Sequence, residues 1–365
     1  MISPNYTILQ GLLRTGVTLD TALEKYHLRA TWSKRHPQLV QLKYDQIESD
    51  LADPLVRQCR GIIYDSNDNW NIVARPFDKF FNYGEAEAAE IDWPTARVVE
   101  KLDGTCCILY YYDGWHVATL GSCDASGSVG DHNFDFKQLF WNTFTDKGYQ
   151  LPDQRLWCGV TFIFELMTPY NRVVVPHTKG NLVLIGARTA TGSESNVNPD
   201  NIFQVAQSFP LKSLSDVLGT FDKIDPQAQE GYVVVDAHYN RIKVKHPGYV
   251  RIHQMKDQFT IKNIVNCVRN GEALEFINYF PEHKDLVRQV RDSVFKLIAD
   301  CNEVYEAVQD IPEGQAGQKK FALEVKDFPF SGILFAVRNG KQPSAVAAIQ
   351  HMHLDNLVAL LEARA

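Results

Sequence analysis

Apolar residues alternate with polar ones, or form short apolar runs, through most of the first 250 residues of the chain. Alternation of this kind is typical of β-strands, in which successive side chains point to opposite faces. Several runs are apolar on both faces, which indicates sheets that are covered on both sides. The pattern predicts strands at residues 39–44, 61–64, 72–74, 98–101, 106–112, 115–119, 161–166, 182–187, 231–235 and 241–245.

Two local signals add a hairpin and an early helix. Asp113-Gly114 separates two predicted strands, and a two-residue turn at this point requires a positive φ that these residue types tolerate. Residues 18–29 are predicted to form a helix, for which Thr18 or Asp20 is a suitable N-terminal cap. The first part of the chain is therefore expected to be mainly β structure with short helices.

The spacing of apolar residues changes after about residue 250. A stripe with spacings of three and four predicts a long helix that ends before Pro312. Ser344 is placed to cap a final helix over residues 345–361. We therefore expect a first domain over residues 1–254 and an all-α domain over residues 255–365. The stripe consists of Leu286, Val290, Val294, Leu297, Cys301, Val304 and Val308.

Length and composition set broad limits. With 365 residues, of which 45% are hydrophobic, the chain can bury a sizeable core. No apolar run approaches the length of a membrane span, and the N-terminus lacks the regions of a signal peptide. We therefore expect a cytoplasmic protein without a membrane partner, in the cytoplasm of a host cell if it is viral. The seven cysteines contain no C-x-x-C spacing, which favours a reducing compartment over a zinc site or a disulfide framework.

Charge leaves nucleic-acid binding open. The formal net charge is −7, but a local basic groove decides such binding rather than the total charge. Four short segments carry more specific information, since they supply an amine, acids and a lysine pair, each in a strand-like context. The candidate residues in these segments are Lys101, Asp103, Glu165, Glu230, Lys243 and Lys245.

These side chains suit attack on a nucleotide phosphate. Lys101 is the candidate nucleophile, and a lysine attacks phosphorus only as a free amine. Cations nearby disfavour the ammonium form. Lys243 and Lys245 share one strand face, so they could supply that charge and bind a triphosphate. Asp103 and Glu230 are acids suited to hold Mg²⁺, through its waters because Mg²⁺ sheds hydration reluctantly.

Each candidate also has an ordinary structural interpretation. A lone lysine such as Lys101 is usually solvated surface. Glu165 lies within an apolar run, where it is compatible with a structural ion pair or with a contact to ribose hydroxyls. Gly104 is expected to remove a side chain where the backbone must come close to the nucleotide.

The same segments resemble motifs of the bacteriophage RNA ligase 1 family, which are ATP-dependent covalent nucleotidyltransferases. The resemblance runs over most of residues 40–255. Residues 59–63 (CRGII) resemble the family's C-R-G-I segment, and residues 75–82 (RPFDKFFN) resemble its R-P-x-x-K-F-F-N signature. After Glu165, residues 169–174 (PYNRVV) resemble P-x-N-R-I-V. Lys243 begins a match to K-x-K-x-x-x-Y-V-x-x-H that ends at His253.

The resemblance implies a role for each matching residue. Lys101 would carry AMP, and the cofactors would be ATP and Mg²⁺, with Mn²⁺ as an alternative metal. Glu165 would contact the ribose, and Tyr249 would belong to the nucleotide site. Asp103 and Glu230 would organise the metal. The cations implied to engage the ATP phosphates are Arg60, Lys79, Lys243 and Lys245.

One position departs from the family pattern. The family has a basic, phosphate-contacting residue before the Gly-Ser that follows the hairpin, and Leu120 occupies that place in this chain. Either another cation substitutes or triphosphate binding is weaker. The helical region resembles the family only loosely, so no RNA preference is carried over from it.

We therefore interpret the chain as an α+β protein. A nucleotidyltransferase (ATP-grasp-like ligase) domain of antiparallel sheets with flanking helices would precede an all-α C-terminal domain. The expected activity is that of an ATP-dependent RNA ligase, which joins RNA 5′-phosphate and 3′-hydroxyl ends through lysyl-AMP and RNA-adenylate intermediates in RNA repair. The expected partners of this monomer are such RNA ends, cleaved tRNA among them, and an end-healing kinase-phosphatase.

Two alternatives stay open at this point. DNA ligases and mRNA-capping enzymes share the K-x-D-G motif, which residues 101–104 (KLDG) match in this chain. These enzymes normally continue into an OB-fold, which the helical pattern after residue 280 disfavours. A non-catalytic RNA-end-binding module is the other. Intact Lys101, Glu230 and Lys245 weigh against such a module, and Leu120 weighs slightly for it.

Overall fold

The computed structural model of the protein describes residues 6–130, 132–195, 197–255, 260–279 and 283–364. The chain divides into two compact units, Met1–His253 and Gln254–Ala365. Over the described residues, strands occur in the first unit and helices dominate the second. The α+β class predicted from the sequence is confirmed.

The strands of the first unit form three sheets over the residues that are described. The strands are β1 (Leu28–Trp32), β2 (Leu39–Tyr44), β3 (Arg60–Asp65), β4 (Asn71–Ala74), β5 (Phe81–Asn82), β6 (Arg97–Lys101), β7 (Thr105–Tyr111), β8 (Trp115–Thr119), β9 (Val160–Met167), β10 (Asn181–Thr189), β11 (Glu194–Ser195), β12 (Ser208–Phe209), β13 (Gly231–Val235) and β14 (Arg241–Lys245). Sheet A has the order β1-β2-β3-β4, sheet B the order β12-β6-β13-β14-β5, and sheet C the order β11-β10-β9-β7-β8.

The strand pairs are antiparallel, as predicted, with one exception. The two-residue strand β5 runs parallel to β14. Each strand predicted from the apolar pattern is present to within two residues at either end. The predicted hairpin joins β7 to β8, and φ is 54° at Asp113 and 132° at Gly114.

Short helices accompany the sheets of the first unit. They are α1 (Ile8–Arg14), α2 (Leu19–Tyr26), α3 (Pro54–Gln58), α4 (Phe136–Asp146), α5 (Gln154–Trp157) and α6 (Leu214–Leu218), followed by α7 (Pro247–Met255). One apolar core is formed by α1, α2 and α3 with sheet A, and another by α4 with sheet C. Each of these sheets therefore has one face covered by helices.

The early helix, α2, is shorter than predicted. It ends at Tyr26 because His27 adopts a left-handed conformation, with φ of 51° and ψ of 46°. The chain then enters β1, an edge strand whose exposed side chains gave no clear apolar alternation. Thr18 is the cap, since its side chain accepts a hydrogen bond from the backbone N–H of Thr21.

The second unit is helical over its described residues. Its helices are α8 (Ile261–Arg269), α9 (Ala273–Tyr279), α10 (Lys284–Val308), α11 (Gln315–Val325), α12 (Ser331–Arg338), α13 (Ala345–His351) and α14 (Leu354–Glu362). The predicted stripe lies on α10, with Val290, Val294 and Leu297 buried. Within the described ranges, no helix is long and apolar enough to cross a bilayer.

The predicted final helix is in fact two helices. Ser344 caps α13 by accepting from the backbone N–H of Ala347. Met352 then takes an extended conformation, with ψ of 142°, and His353 precedes α14. The prediction of a single continuous helix over residues 345–361 was therefore wrong. The spacing of apolar residues does not show that one residue between two helical segments adopts an extended conformation.

Candidate active site

Three adjacent strands of sheet B form the floor of a cavity. The register places Gly231 of β13 between Lys101 of β6 and Lys245 of β14. Two residues farther along the same strands, Val233 of β13 pairs with Lys243 of β14. Residues two apart on a strand share a face, so the alternation of β14 directs its cations to one side while Ile242 and Val244 are buried on the other.

Glu230 joins the two lysines that flank Gly231. Its Oε2 lies 2.6 Å from Nζ of Lys101, and its Oε1 lies 3.2 Å from Nζ of Lys245. The Glu230 side chain is 5% exposed, whereas the lysines are 19% and 17% exposed. Gly231 makes this arrangement possible, since φ is +144° and a Cβ would lie 2.3 Å from the Val244 carbonyl oxygen. The structure thus brings together three residues that the sequence singled out.

Sheet C supplies the facing wall. Cys106 of β7 pairs with Glu165 of β9, and both side chains line the same cavity as Lys101 and Lys243. The cavity has a volume of about 420 Å³, which is in the range of small-ligand sites. The Glu165 carboxyl group therefore faces the cavity from sheet C, and the Lys101 amine faces the same cavity from sheet B.

The environment of Glu165 favours its neutral form. The pKa of Glu165 is raised to about 7, mainly by burial; the Lys101 charge lowers it and the Glu230 charge raises it. An acid of this kind in a cavity is a common sign of a functional site.

This shift predicts a pH-dependent stability difference. Between the ordinary value of 4.5 and about 7, the folded state holds a proton that the unfolded state has lost, so the contribution of Glu165 to stability falls as pH rises. Glu165→Gln removes this dependence, because the amide stays neutral. We expect the melting temperature of the variant, relative to the parent protein, to rise from pH 4.5 to 7 and to level off above that. A relative melting temperature that is constant with pH would contradict the shift.

Three hydrogen bonds from the protein hold the Asp103 carboxylate. Its Oδ2 accepts from the backbone N–H groups of Val174 and Val175 at 2.8 and 2.7 Å. Its Oδ1 accepts from the Tyr249 hydroxyl at 2.7 Å. Asp103 is 5% exposed, and its role at a metal stays a prediction. It positions the segment after Lys101 against the loop around residue 174.

Tyr249 and Gly104 also serve the packing around the site. Tyr249 is only 2% exposed, and its contact with the site runs through Asp103. A Cβ on Gly104 would lie 2.3 Å from the Leu166 carbonyl oxygen, so β9 is the close neighbour that requires glycine. Gly104 also lines the cavity, and its approach to a nucleotide stays a prediction.

The remaining predicted cations fall into two groups. Arg60 and Lys243 line the cavity, and Nη1 of Arg60 donates to the Phe77 carbonyl oxygen at 3.4 Å. Lys79 instead lines a neighbouring cavity, with Nζ 5.5 Å from the centre of the Phe81 ring. Phe80 lines both cavities, so the two spaces adjoin.

Arg241 is a site residue that the sequence interpretation missed. It lines both cavities, donates to Glu194 at 2.7 Å and places its Cζ 4.0 Å from the centre of the Phe77 ring. Extending the alternation of Lys243 and Lys245 back by two residues would have found it.

Leu120, which replaces a basic residue of the family pattern, lines the cavity. It packs against Gly61, where a Cβ would lie 3.1 Å from Leu120 Cδ2. The cavity is therefore apolar at this point, and positive charge comes from other strands.

Comparison with known proteins finds RNA ligases. A family model described as RNA ligase matches residues 58–249. An RNA ligase of Rhodothermus phage RM378 is 28% identical over 357 residues, which covers 78% of this chain and 81% of that protein. A putative bifunctional polynucleotide kinase/RNA ligase of Autographa californica nuclear polyhedrosis virus is 27% identical over 277 residues, covering 70% of this chain and 39% of that protein. A solved archaeal ATP-dependent RNA ligase has a TM-score of 0.47 at 12% identity, with 81% of each chain covered.

The matches define an RNA ligase of the nucleotidyltransferase type. The chain belongs to the bacteriophage RNA ligase 1 family, because the family model spans more than half of its length. The predicted RNA ligase function is confirmed, and the DNA ligase, capping and non-catalytic alternatives are not favoured.

Proposed function

We propose that this RNA ligase works through a covalent AMP on Lys101. The observation that carries the proposal is the short contact of Lys101 with Glu230, beside Lys243 and Lys245 and opposite Glu165. A buried acid at 2.6 Å from the amine can take its proton. The cations that remain can neutralise a triphosphate.

In the proposed first step, one bond forms and one bond breaks. Nζ of Lys101 attacks the α-phosphorus of ATP, an N–P bond forms, and the bond to pyrophosphate breaks. Glu230 accepts the proton that Nζ loses. Lys243 and Lys245 stabilise charge on the phosphate oxygens. Arg60, in the same cavity, and Lys79, in the adjoining one, would meet the leaving pyrophosphate. Such a reaction depends mainly on positioning and electrostatics.

Two transfers follow. An oxygen of the RNA 5′-phosphate attacks the phosphorus bonded to Lys101, the N–P bond breaks, and Nζ takes back the proton from Glu230 as it leaves. The product is an RNA-adenylate. A 3′-hydroxyl oxygen then attacks the 5′-phosphorus, forms the phosphodiester and releases AMP. Glu165, at the sheet C wall, is the proposed partner of the ribose hydroxyls.

The acids present fit Mg²⁺ only through its waters. In the parts of the chain that the structure describes, no three His, Cys, Asp or Glu residues are grouped as a metal site. The Asp103 carboxylate accepts three hydrogen bonds, and both oxygens of Glu230 contact lysines, so both acids would meet Mg²⁺ through its water ligands. Bound Mg²⁺ would add charge neutralisation at the phosphates.

Labelled nucleotides test the proposal. We expect the protein to become labelled by ATP, and not by GTP or NAD, in the presence of Mg²⁺. RNA with a 5′-phosphate and a 3′-hydroxyl should then be joined, whereas RNA with a 5′-hydroxyl should not. Absence of a labelled protein together with RNA joining would overturn the covalent route.

The requirement for a 5′-phosphate implies an end-healing activity elsewhere. The relative from Autographa californica nuclear polyhedrosis virus is named a putative bifunctional polynucleotide kinase/RNA ligase, and the match covers 39% of that protein. We propose that a separate kinase-phosphatase prepares the ends and that the ligase serves RNA repair as a monomer, with cleaved tRNA as a candidate substrate.

A truncation tests the division of labour between the units. The proposed nucleotide contacts all lie within Met1–His253, so a fragment of residues 1–255 should still form the AMP adduct. The fragment should join a nicked stem-loop and a linear strand in a ratio different from that of the full chain. A folded fragment that cannot form the adduct would show that the second unit belongs to the nucleotide site.

A further inference from the structure

Three aromatic rings meet at the surface of the first unit. The rings of His132 and Phe134 are stacked, with centroids 5.2 Å apart and an interplanar angle of 7°. The Tyr170 ring stands edge-on to both, at 5.1 Å from His132 and 5.4 Å from Phe134. We call His132, Phe134 and Tyr170 the aromatic patch.

Core packing explains only one of the three rings. Phe134 is half-buried and packs against the apolar core of sheet C. His132 is exposed, and Tyr170 is 52% exposed. Large rings that stay in water although a core lies beside them indicate a binding surface when they form a contiguous group.

Hydrogen bonds hold the patch in place. The N–H of His132 donates to the Val129 carbonyl oxygen, and the N–H of Val129 donates to the Phe134 carbonyl oxygen. On the other side, the N–H of Tyr170 donates to Thr168 Oγ1 at 3.1 Å within a capping box. The rings are therefore preorganised, which lowers the entropy lost on binding.

The segment that carries Tyr170 is tied to the residues directly after Lys101. Asn171 Nδ2 donates to Thr105 Oγ1 at 2.9 Å and to the Leu166 carbonyl oxygen at 2.8 Å. Nε2 of His177 lies 2.9 Å from the Asp103 carbonyl oxygen. The segment that follows Tyr170 is therefore hydrogen-bonded to the chain between Lys101 and the start of β7.

Charge on this segment favours an anionic ligand. Arg172 and Lys179 are exposed. Nε of Arg172 donates to the Val174 carbonyl oxygen at 2.9 Å, which fixes the guanidinium without neutralising it. Aromatic faces next to cations are the combination by which proteins hold single-stranded nucleic acid.

We propose that the aromatic patch is a stacking surface for unpaired bases of the RNA strand whose end is being joined. The patch reads no sequence, since every base offers a π-face. Arg172 and Lys179 hold the backbone phosphates. This inference rests on the proposed function, in which the end of the RNA strand reaches Lys101.

Binding of RNA to the full-length chain tests the proposal. The probe is a 12-nucleotide single-stranded RNA with a 5′-phosphate and a 3′-fluorophore, measured by fluorescence anisotropy without ATP or Mg²⁺. Tyr170→Leu should raise the Kd about tenfold, because one stacked base is lost. Tyr170→Phe keeps the ring and should stay within about twofold of the parent protein. Trp32→Leu is the control, since Trp32 is 46% exposed on sheet A.

The controls separate this proposal from the preceding one. AMP labelling should be equal in the parent protein and all three variants, which also shows that they are folded. An unchanged Kd in Tyr170→Leu, or an equal loss for blunt duplex RNA, would overturn the stacking surface. If the parent protein takes no label from ATP, the covalent route falls, while the Kd values still decide the stacking surface.

Discussion

Replacing Lys101 with alanine is expected to abolish the AMP adduct completely. The variant lacks the amine that lies 2.6 Å from Glu230 Oε2, and the other lysine beside Glu230 belongs to a different strand and is farther from this acid, at 3.2 Å. Intact mass spectrometry after incubation with ATP and Mg²⁺ is the measurement. Lys147→Ala is a matched control, because this lysine lies outside the cavity and donates to Gln204 at 3.1 Å.

Two results would bear on the assignment of Lys101. An AMP adduct that survives in Lys101→Ala would refute it. Sealing of pre-adenylylated RNA does not need a new adduct, but we expect it to be impaired as well, because removing one of the two cations beside Glu230 disturbs the charge balance of the site.

The second large effect is expected at Lys243 and Lys245. Lys245 contacts the Glu230 carboxylate, as Lys101 does. Lys243 lies two residues before Lys245 on β14 and lines the cavity. Each change to alanine should slow adduct formation roughly 100-fold or more, the size seen when a single charge-stabilising donor is removed from an active site. The measurement is the single-turnover rate of labelling with ATP.

Arginine should restore little of that rate. A planar guanidinium does not replace a compact ammonium, and at position 245 it would have to fit beside a Glu230 side chain that is 5% exposed. Near-normal labelling in both alanine variants would show that the pair is solvated surface rather than a phosphate site. Lys147→Ala again serves as the control.

The strands and the principal residues of the site could be predicted from local pattern. Alternation identifies β14 and shows that Lys243 and Lys245 share a face, and the structure agrees. Lys101 and Glu230 stood out because they belong to a set of an amine, acids and a lysine pair, each in a strand-like segment. The same reasoning failed where one backbone angle decides the outcome, as at His27 and Met352.

The surroundings of several motif residues could not be predicted in this way. Lys79 matches a phosphate-binding motif, yet it lines the neighbouring cavity. Asp103 and Tyr249 appear as separate candidates in the sequence. They are hydrogen-bonded to each other although they lie 146 residues apart in the chain. Gly104 is required by the carbonyl oxygen of Leu166, which belongs to another strand.

The sequence by itself determined the family, the order of the strands along the chain and the side chains that could perform the chemistry. Only the tertiary structure decided which of them meet. The ion pair of Lys101 with Glu230 spans 129 residues, and the aromatic patch joins Phe134 to Tyr170 from separate segments. The physical reason is that periodicity specifies the face on which a side chain lies, whereas the partner of that face depends on strand register and on contacts between residues far apart in the chain.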